Sequence, residues 1–178
     1  MISLVVAFLR RRKTSFAAIG LKRPRARDAG YGLMGLILYF VVNVVVIAFI
    51  KWRVPSLDLQ QQQELGYSKD VAGAALGVAF LGLVILPPLA EEIMFRGFLF
   101  LGLRSKLPVI VSMLLTSVLF GVVHLQWGSD QPLLWVAAID TFVLSLVLVY
   151  LRESRHSLWP AIFLHMFKNG YAFLLLFV

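Results

Sequence analysis

The chain has 178 residues, no cysteine and a formal net charge of +8; 60% of it is hydrophobic and its mean hydropathy is +0.87. The lack of cysteine excludes disulfides, thiol catalysis and cysteine-based metal sites. The apolar excess over the ~45–50% of a soluble domain lies in long runs, which is the pattern of a membrane protein of one domain.

Arg10, Arg11, Arg12, Lys13, Lys22, Arg23, Arg25 and Arg27 crowd the first thirty positions. A basic block beside an apolar span reads as a cytosolic flank against anionic lipid headgroups, and nucleic acid is not the expected partner. Residues 1–9 are apolar but precede the basic cluster, the wrong order for a cleavable signal peptide. They read as an interfacial anchor or the stump of a longer span. Residues 1–29 are thus expected to form a basic cytosolic or interfacial segment, and residues 30–178 a transmembrane helical domain.

Five spans are predicted in chain order at about 20 apolar residues each. The first covers 30–50 and ends at Lys51, Trp52 and Arg53. A polar loop with Pro55 and the glutamine run 60–63 follows. The second covers 71–103, too long for one simple span. Pro87 and Pro88 are expected to break or kink it, with a new helical segment from about Leu89. Gly73 and Gly77 carry the spacing of a close helix contact. The third covers 108–123, the fourth 132–151 and the fifth 158–178, with Pro108, Pro132 and Pro160 near helix starts, where proline is tolerated. Trp52, Trp127, Trp135 and Trp159 fall near span ends, as in an aromatic belt. The basic residues of the odd-numbered flanks outweigh those of the others, so the N-terminus is expected inside and the C-terminus outside. The expected fold is an all-α polytopic membrane helix bundle of about five transmembrane helices, with a polar site inside it.

Ionisable residues inside apolar runs cost about 2.5–3.5 kcal/mol each on insertion scales and mark functional sites. Glu91 and Glu92 lie in the run Ala90-Glu91-Glu92-Ile93-Met94-Phe95-Arg96. Glu92 and Arg96, four apart, share a helix face and can pair. Glu91 is turned about 100° away and is the carboxylate left free to act as a general base. The plainer alternative is that both acids only staple helices through Arg96. Phe120 and His124 share a face, as do His165 and Asn169. A histidine and an amide side by side can hold a carbonyl oxygen as charge develops on it, or merely clasp two helices. His156, after Arg152-Glu153-Ser154-Arg155, reads as a solvated loop histidine. At 1.5 Å per residue, Glu91, His165 and His124 lie roughly 18, 10 and 24 Å from the cytosolic side. All three fall within the apolar slab, where separate helices could bring them to one cavity.

Glu-Glu-x-x-x-Arg, Phe-x-x-x-His and His-x-x-x-Asn occur in that order on successive apolar segments. In this the chain resembles the CAAX protease and bacteriocin-processing family (CPBP, or Abi) of intramembrane peptidases, over about residues 86–178. The ordered set is far more specific than any single motif. The resemblance implies an intramembrane endopeptidase acting on a membrane-associated protein or peptide. It implies that Glu91 activates the attacking water, that His124 helps hold that water, and that His165 and Asn169 stabilise the oxyanion. Glu92 and Arg96 would order the site, with Phe120 packed beside it. Glu91, His124 and His165 are the candidate ligands should a metal such as Zn²⁺ be held, and the sequence leaves metal dependence open. Many relatives carry further spans before the motif helices, so a shorter N-terminal part is one departure. Lys168, where the family usually has an apolar or small residue, is another. Asp140 is an extra acid at a similar depth, about 12–15 Å from the outer surface, and an Asp140–Lys168 ion pair is expected. The alternative function is a non-catalytic membrane immunity or scaffold protein that binds a partner in the same cavity. A small transporter or proton relay, resting only on the intramembrane acids, is a third. The expected setting is a prokaryotic plasma membrane.

Overall fold

A computed structural model of the chain describes residue 11 and residues 15–61, 67–68, 70–125 and 133–178. Residues 1–10, Trp127, Pro132 and half of the glutamine run, Gln62 and Gln63, lie outside these. Among the described residues there are five main helices and no strand. The chain is an all-helical membrane bundle.

Helix α1 (Ala26–Arg53) begins where the Asp28 carboxylate accepts the Arg25 backbone N–H at 2.8 Å. That contact satisfies one of the N–H groups a helix start leaves without a partner. At its other end the Lys51 ammonium donates to the carbonyls of Pro55 and Leu57, at 2.7 and 3.0 Å. A cation there also suits the negative end of the helix dipole. Its 28 residues reach about 42 Å, more than the ~30 Å hydrocarbon thickness. Leu33, Met34, Ile37, Val41, Val44 and Val45 face outward, as lipid-facing residues do.

Of the expected break or kink at Pro87-Pro88, the break is absent: helix α2 (Ala74–Arg104) is continuous through them. Its winding changes instead. A π-helical turn covers Leu81–Ile85, α geometry returns over Leu86–Glu92, and a second π-helical stretch covers Ile93–Leu99. The prolines sit in the first turn of the middle segment, where a missing N–H is least costly. The loosened turn before them gives their rings room that an α-helical preceding turn would deny.

Helix α3 (Val109–Val122) starts at Pro108. Its 14 residues reach about 21 Å, so it is shorter than a full span. Helices α4 (Trp135–Arg155) and α5 (Trp159–Phe177) are both long and apolar enough to cross a membrane, as are α1 and α2. Helix α4 is the most buried of the four. Val143, Leu144, Val147, Leu148 and Leu151 of α4 meet Tyr39 of α1 and Leu164 of α5 in the main core.

Close helix approach is made by glycines other than those the spacing suggested. A Cβ at Gly73 or Gly77 would meet nothing within 4 Å, and Gly73 precedes α2 at φ 60°. Gly32 and Gly35 instead hold α1 against α5. A Cβ at Gly32 would come within 2.8 Å of the Phe163 Cβ and 2.9 Å of the Leu164 backbone nitrogen. Three residues apart, they lie on one face, as small residues at membrane helix contacts do.

The segment before α1 is folded onto the bundle. Phe16–Ile19 form one 3-10 turn, and Ile19 is buried against Ile93, Leu158 and Ile162. Gly20, at φ 93°, turns the chain so that its carbonyl accepts the Leu158 N–H at 2.9 Å. The Arg152 guanidinium donates to the Ile19 carbonyl at 3.2 Å.

Candidate active site

The expected site residues come from three helices. Glu91, Glu92 and Arg96 lie at the middle of α2, Phe120 near the end of α3 with His124 in the turn after it, and His165 and Asn169 on α5. Helix α4 backs them with Ser145.

Glu92 and Arg96 pair as their spacing predicts, at 2.9 Å, with both side chains fully buried. A buried ion pair is tolerable only when its remaining polar atoms find partners. Two are supplied here, while Glu92 Oε2 and Arg96 Nε have none among the described residues. Arg96 Nη2 donates to Ser145 Oγ at 2.6 Å, and His165 Nδ1 bonds Glu92 Oε1 at 2.9 Å. The guanidinium also lies 4.3 Å from the Phe120 ring centroid, within cation–π range.

The Glu92 contact fixes His165. With Nδ1–H given to the carboxylate, the ring orientation is set and Nε2 is turned the other way. It faces Glu91 Oε2 at 3.8 Å, too long for a hydrogen bond. Glu91 Oε2 has no hydrogen-bond partner among the described residues. The Glu91 side chain keeps 23% of its surface exposed while that of Glu92 keeps none. Glu92 Oε2 likewise lacks a partner among the described residues, but Glu92 Oε1 carries both Arg96 and His165, and of the two acids only Glu91 is partly exposed.

Phe120, fully buried, joins the site's two histidines. Its ring centroid is 4.7 Å from that of His124 and 6.0 Å from that of His165. His124 Nδ1 lies 2.7 Å from the Phe120 carbonyl oxygen. A carbonyl only accepts, so Nδ1 carries the proton and Nε2 is left as an acceptor. Among the described residues, no three of His, Asp and Glu gather closely enough to hold a metal ion. Glu91, His124 and His165 as placed are therefore not a ready ligand set.

Asn169 clasps two helices, the plainer of its two expected roles, through a partner the sequence did not single out. Its Nδ2 donates to the Leu83 carbonyl of α2 at 2.9 Å. The α-helical donor to that carbonyl would be the N–H of residue 87 and the π-helical donor that of residue 88. Both are prolines and have neither. Asn169 supplies the missing donor with one amide hydrogen and keeps the other.

The Asp140–Lys168 pair is present at 2.9 Å. The Asp140 carboxylate also accepts from the Tyr39 hydroxyl and, at 3.0 Å, from Asn43. This cluster ties α1, α4 and α5 together. Tyr39, Asn43 and Ser145 were missed in the sequence. A lone hydroxyl or amide in an apolar helix is common and cheap enough to carry little signal. His156 is exposed, as expected.

Residues 73–171 match the model of the family described as "Type II CAAX prenyl endopeptidase Rce1-like", a stretch that contains all seven expected site residues. A protein of Bacillus subtilis (strain 168) described as "Putative membrane peptidase YdiL" is 34% identical over 87 residues. That alignment covers 49% of this chain and 32% of the relative, so the chain spans about a third of that protein's length. No solved structure matches the chain.

Proposed function

The chain belongs to the Type II CAAX prenyl endopeptidase Rce1-like family, and from that membership we propose that it hydrolyses a peptide bond in a membrane-associated protein or peptide. Glu91 is the general base. The observation that carries this reading is the contrast between the two acids: Glu92 is fully buried with Oε1 taken by Arg96 and His165, while Glu91 is partly exposed and turns Oε2 toward His165 Nε2 at 3.8 Å, beyond hydrogen-bond distance.

In this mechanism Glu91 takes a proton from water as the oxygen attacks the substrate carbonyl carbon. His124 Nε2, free to accept, helps orient that water. The carbonyl oxygen becomes an oxyanion. His165, with both ring nitrogens protonated, gives one N–H to Glu92 and the other to the oxyanion. The second amide hydrogen of Asn169 adds a donor from one helical turn further on. Glu91 then returns its proton to the departing amine as the C–N bond breaks. No step is routed through a metal.

One end of the bundle carries Arg23, Arg25, Arg27, Arg104, Lys106, Arg152 and Arg155, while Lys51 and Arg53 lie at the other. By the positive-inside rule this supports a cytoplasmic start of α1 beside anionic lipid.

The test uses the purified chain in liposomes with lipid-anchored peptides. Glu91→Gln keeps shape and volume but cannot accept a proton, so cleavage should fall by about 10²–10⁴-fold, the range for a lost general base. Thermal unfolding should stay unchanged. Undiminished cleavage would sink the assignment. A variant that still confers the cell's phenotype without any cleavage would favour the partner-binding role instead.

A further inference from the structure

At the end of the bundle away from Lys51, a cavity of about 220 Å³ opens between the segment before α1, the first turn of α1 and the α4–α5 turn. Among the described residues, Lys22, Arg23, Arg25, Arg27 and Arg155 line it with a single carboxylate, Asp28, which gives these a net charge of +4 with His156 neutral. Asp28 is already engaged by the Arg25 backbone N–H and is buried. A soluble basic tail would spread such charges apart. Here they converge because the backbone beneath them is tied down.

Three contacts hold that backbone. The Gly20 carbonyl accepts the Leu158 N–H, and the Lys22 carbonyl accepts the Trp159 indole N–H. The Arg152 guanidinium holds the Ile19 carbonyl. On the opposite wall the Arg155 guanidinium lies 3.8 Å from the Tyr31 ring centroid, which restrains it. His156 closes the α4–α5 turn at φ 50°, a left-handed conformation uncommon outside glycine. These charges repel one another, and a site that gathers them gains most from an anion with several acceptor oxygens.

The cavity also has an apolar continuation. Met34, Leu38, Val41 and Val45 follow Arg27 at helical spacing on one face of α1, and all are exposed. A ligand whose anionic group sits among the cations thus finds a hydrocarbon-facing stripe leading away from it. A free phosphate would use only the first feature.

We propose that this cavity binds the phosphate-bearing headgroup of one anionic phospholipid, whose acyl chains lie along the Arg27–Val45 face of α1. The proposal is independent of the peptidase reading. It differs from diffuse attraction between a basic flank and a charged membrane, because it names one site with defined walls.

Delipidated full-length protein in neutral detergent is titrated with phosphatidylglycerol or phosphatidylcholine, and bound lipid is counted by native mass spectrometry. Wild type should take up one phosphatidylglycerol in clear preference to phosphatidylcholine. Arg25→Gln/Arg155→Gln, or Lys22→Gln/Arg27→Gln should the first fail to fold, should weaken that binding by about thirtyfold, as expected for two headgroup-level charges. Arg104→Gln/Lys106→Gln removes two exposed cations from the same end but outside the cavity, and should leave the binding as it is. Equal uptake of both lipids, or equal losses in the cavity and control variants, would overturn the site. Complete displacement of the lipid by millimolar inorganic phosphate would overturn the lipid as its occupant.

Discussion

The Asn169 amide and the Leu83 carbonyl, 2.9 Å apart on α5 and α2, meet because Pro87 and Pro88 leave that carbonyl without an N–H of its own helix. The proline pair and the asparagine are thus one device split between two helices. It fixes α5 against α2 one turn from His165 and eight residues before Glu91.

Its energetic signature is coupling. Asn169→Ala should destabilise the protein by about 1 kcal/mol, the scale of an interhelical hydrogen bond in a membrane. In a Pro87→Ala background an N–H returns at position 87, and the same substitution should cost measurably less. A double-mutant cycle on thermal or denaturant unfolding reads this directly. Purely additive losses would show that the prolines do not create the need.

The Glu92–Arg96 pair should behave as a unit. Removing either partner alone strands a fully buried charge, and Glu92→Ala or Arg96→Ala should each cost about 3–5 kcal/mol. Glu92→Leu/Arg96→Met should recover much of that stability. It should not recover cleavage, because His165 loses the carboxylate that orients its ring. Unfolding midpoints and turnover measured on the same samples separate the two effects.

At the second cluster the acid should matter more than the base. Asp140 takes Lys168, Tyr39 and Asn43 together, whereas Lys168→Met leaves the carboxylate two donors. Asp140→Leu should therefore destabilise more than Lys168→Met. The expected gap is about 1.5–3 kcal/mol, the worth of a hydrogen bond to a charged group. Comparable losses in unfolding experiments would contradict this ranking.

Gly32 tests the α1–α5 seam. A methyl group there meets both a side-chain carbon and backbone of α5 inside 3 Å, and backbone cannot move aside cheaply. Gly32→Ala should cost about 1–3 kcal/mol, the usual penalty of overpacking. Gly77→Ala, in open space, should be neutral in the same thermal-unfolding assay.

Much of the site was legible where the signal is local. The i, i+4 spacing of Glu92 and Arg96 foretold their pairing, and matched depth foretold that of Asp140 and Lys168. The span pattern was also readable, since long apolar runs leave few other folds open. What escaped was of two kinds. The path of α2 through Pro87-Pro88 depends on a change of winding, which residue periodicity at 3.6 does not register. The partner of Asn169 is a backbone carbonyl, whose only trace in the sequence is the pair of prolines that freed it. The glycine contacts were misassigned because small residues at the right spacing occur in both α1 and α2, and only the packing partner distinguishes them.

The two π turns of α2 also bear on how this protein tolerates length changes. Each turn carries about one residue more than α winding needs, and one residue is worth about 100° of rotation. A π turn spends that extra residue on about the same full rotation, so loss of a single residue from Leu81–Ile85 is absorbed by rewinding the turn as ordinary α-helix, and the part of α2 upstream keeps nearly the same face toward α5. The cost falls instead on Pro87 and Pro88, whose rings lose the room that the loosened turn gives them. Chains of this family differing by one residue there should be compared face by face, not position by position.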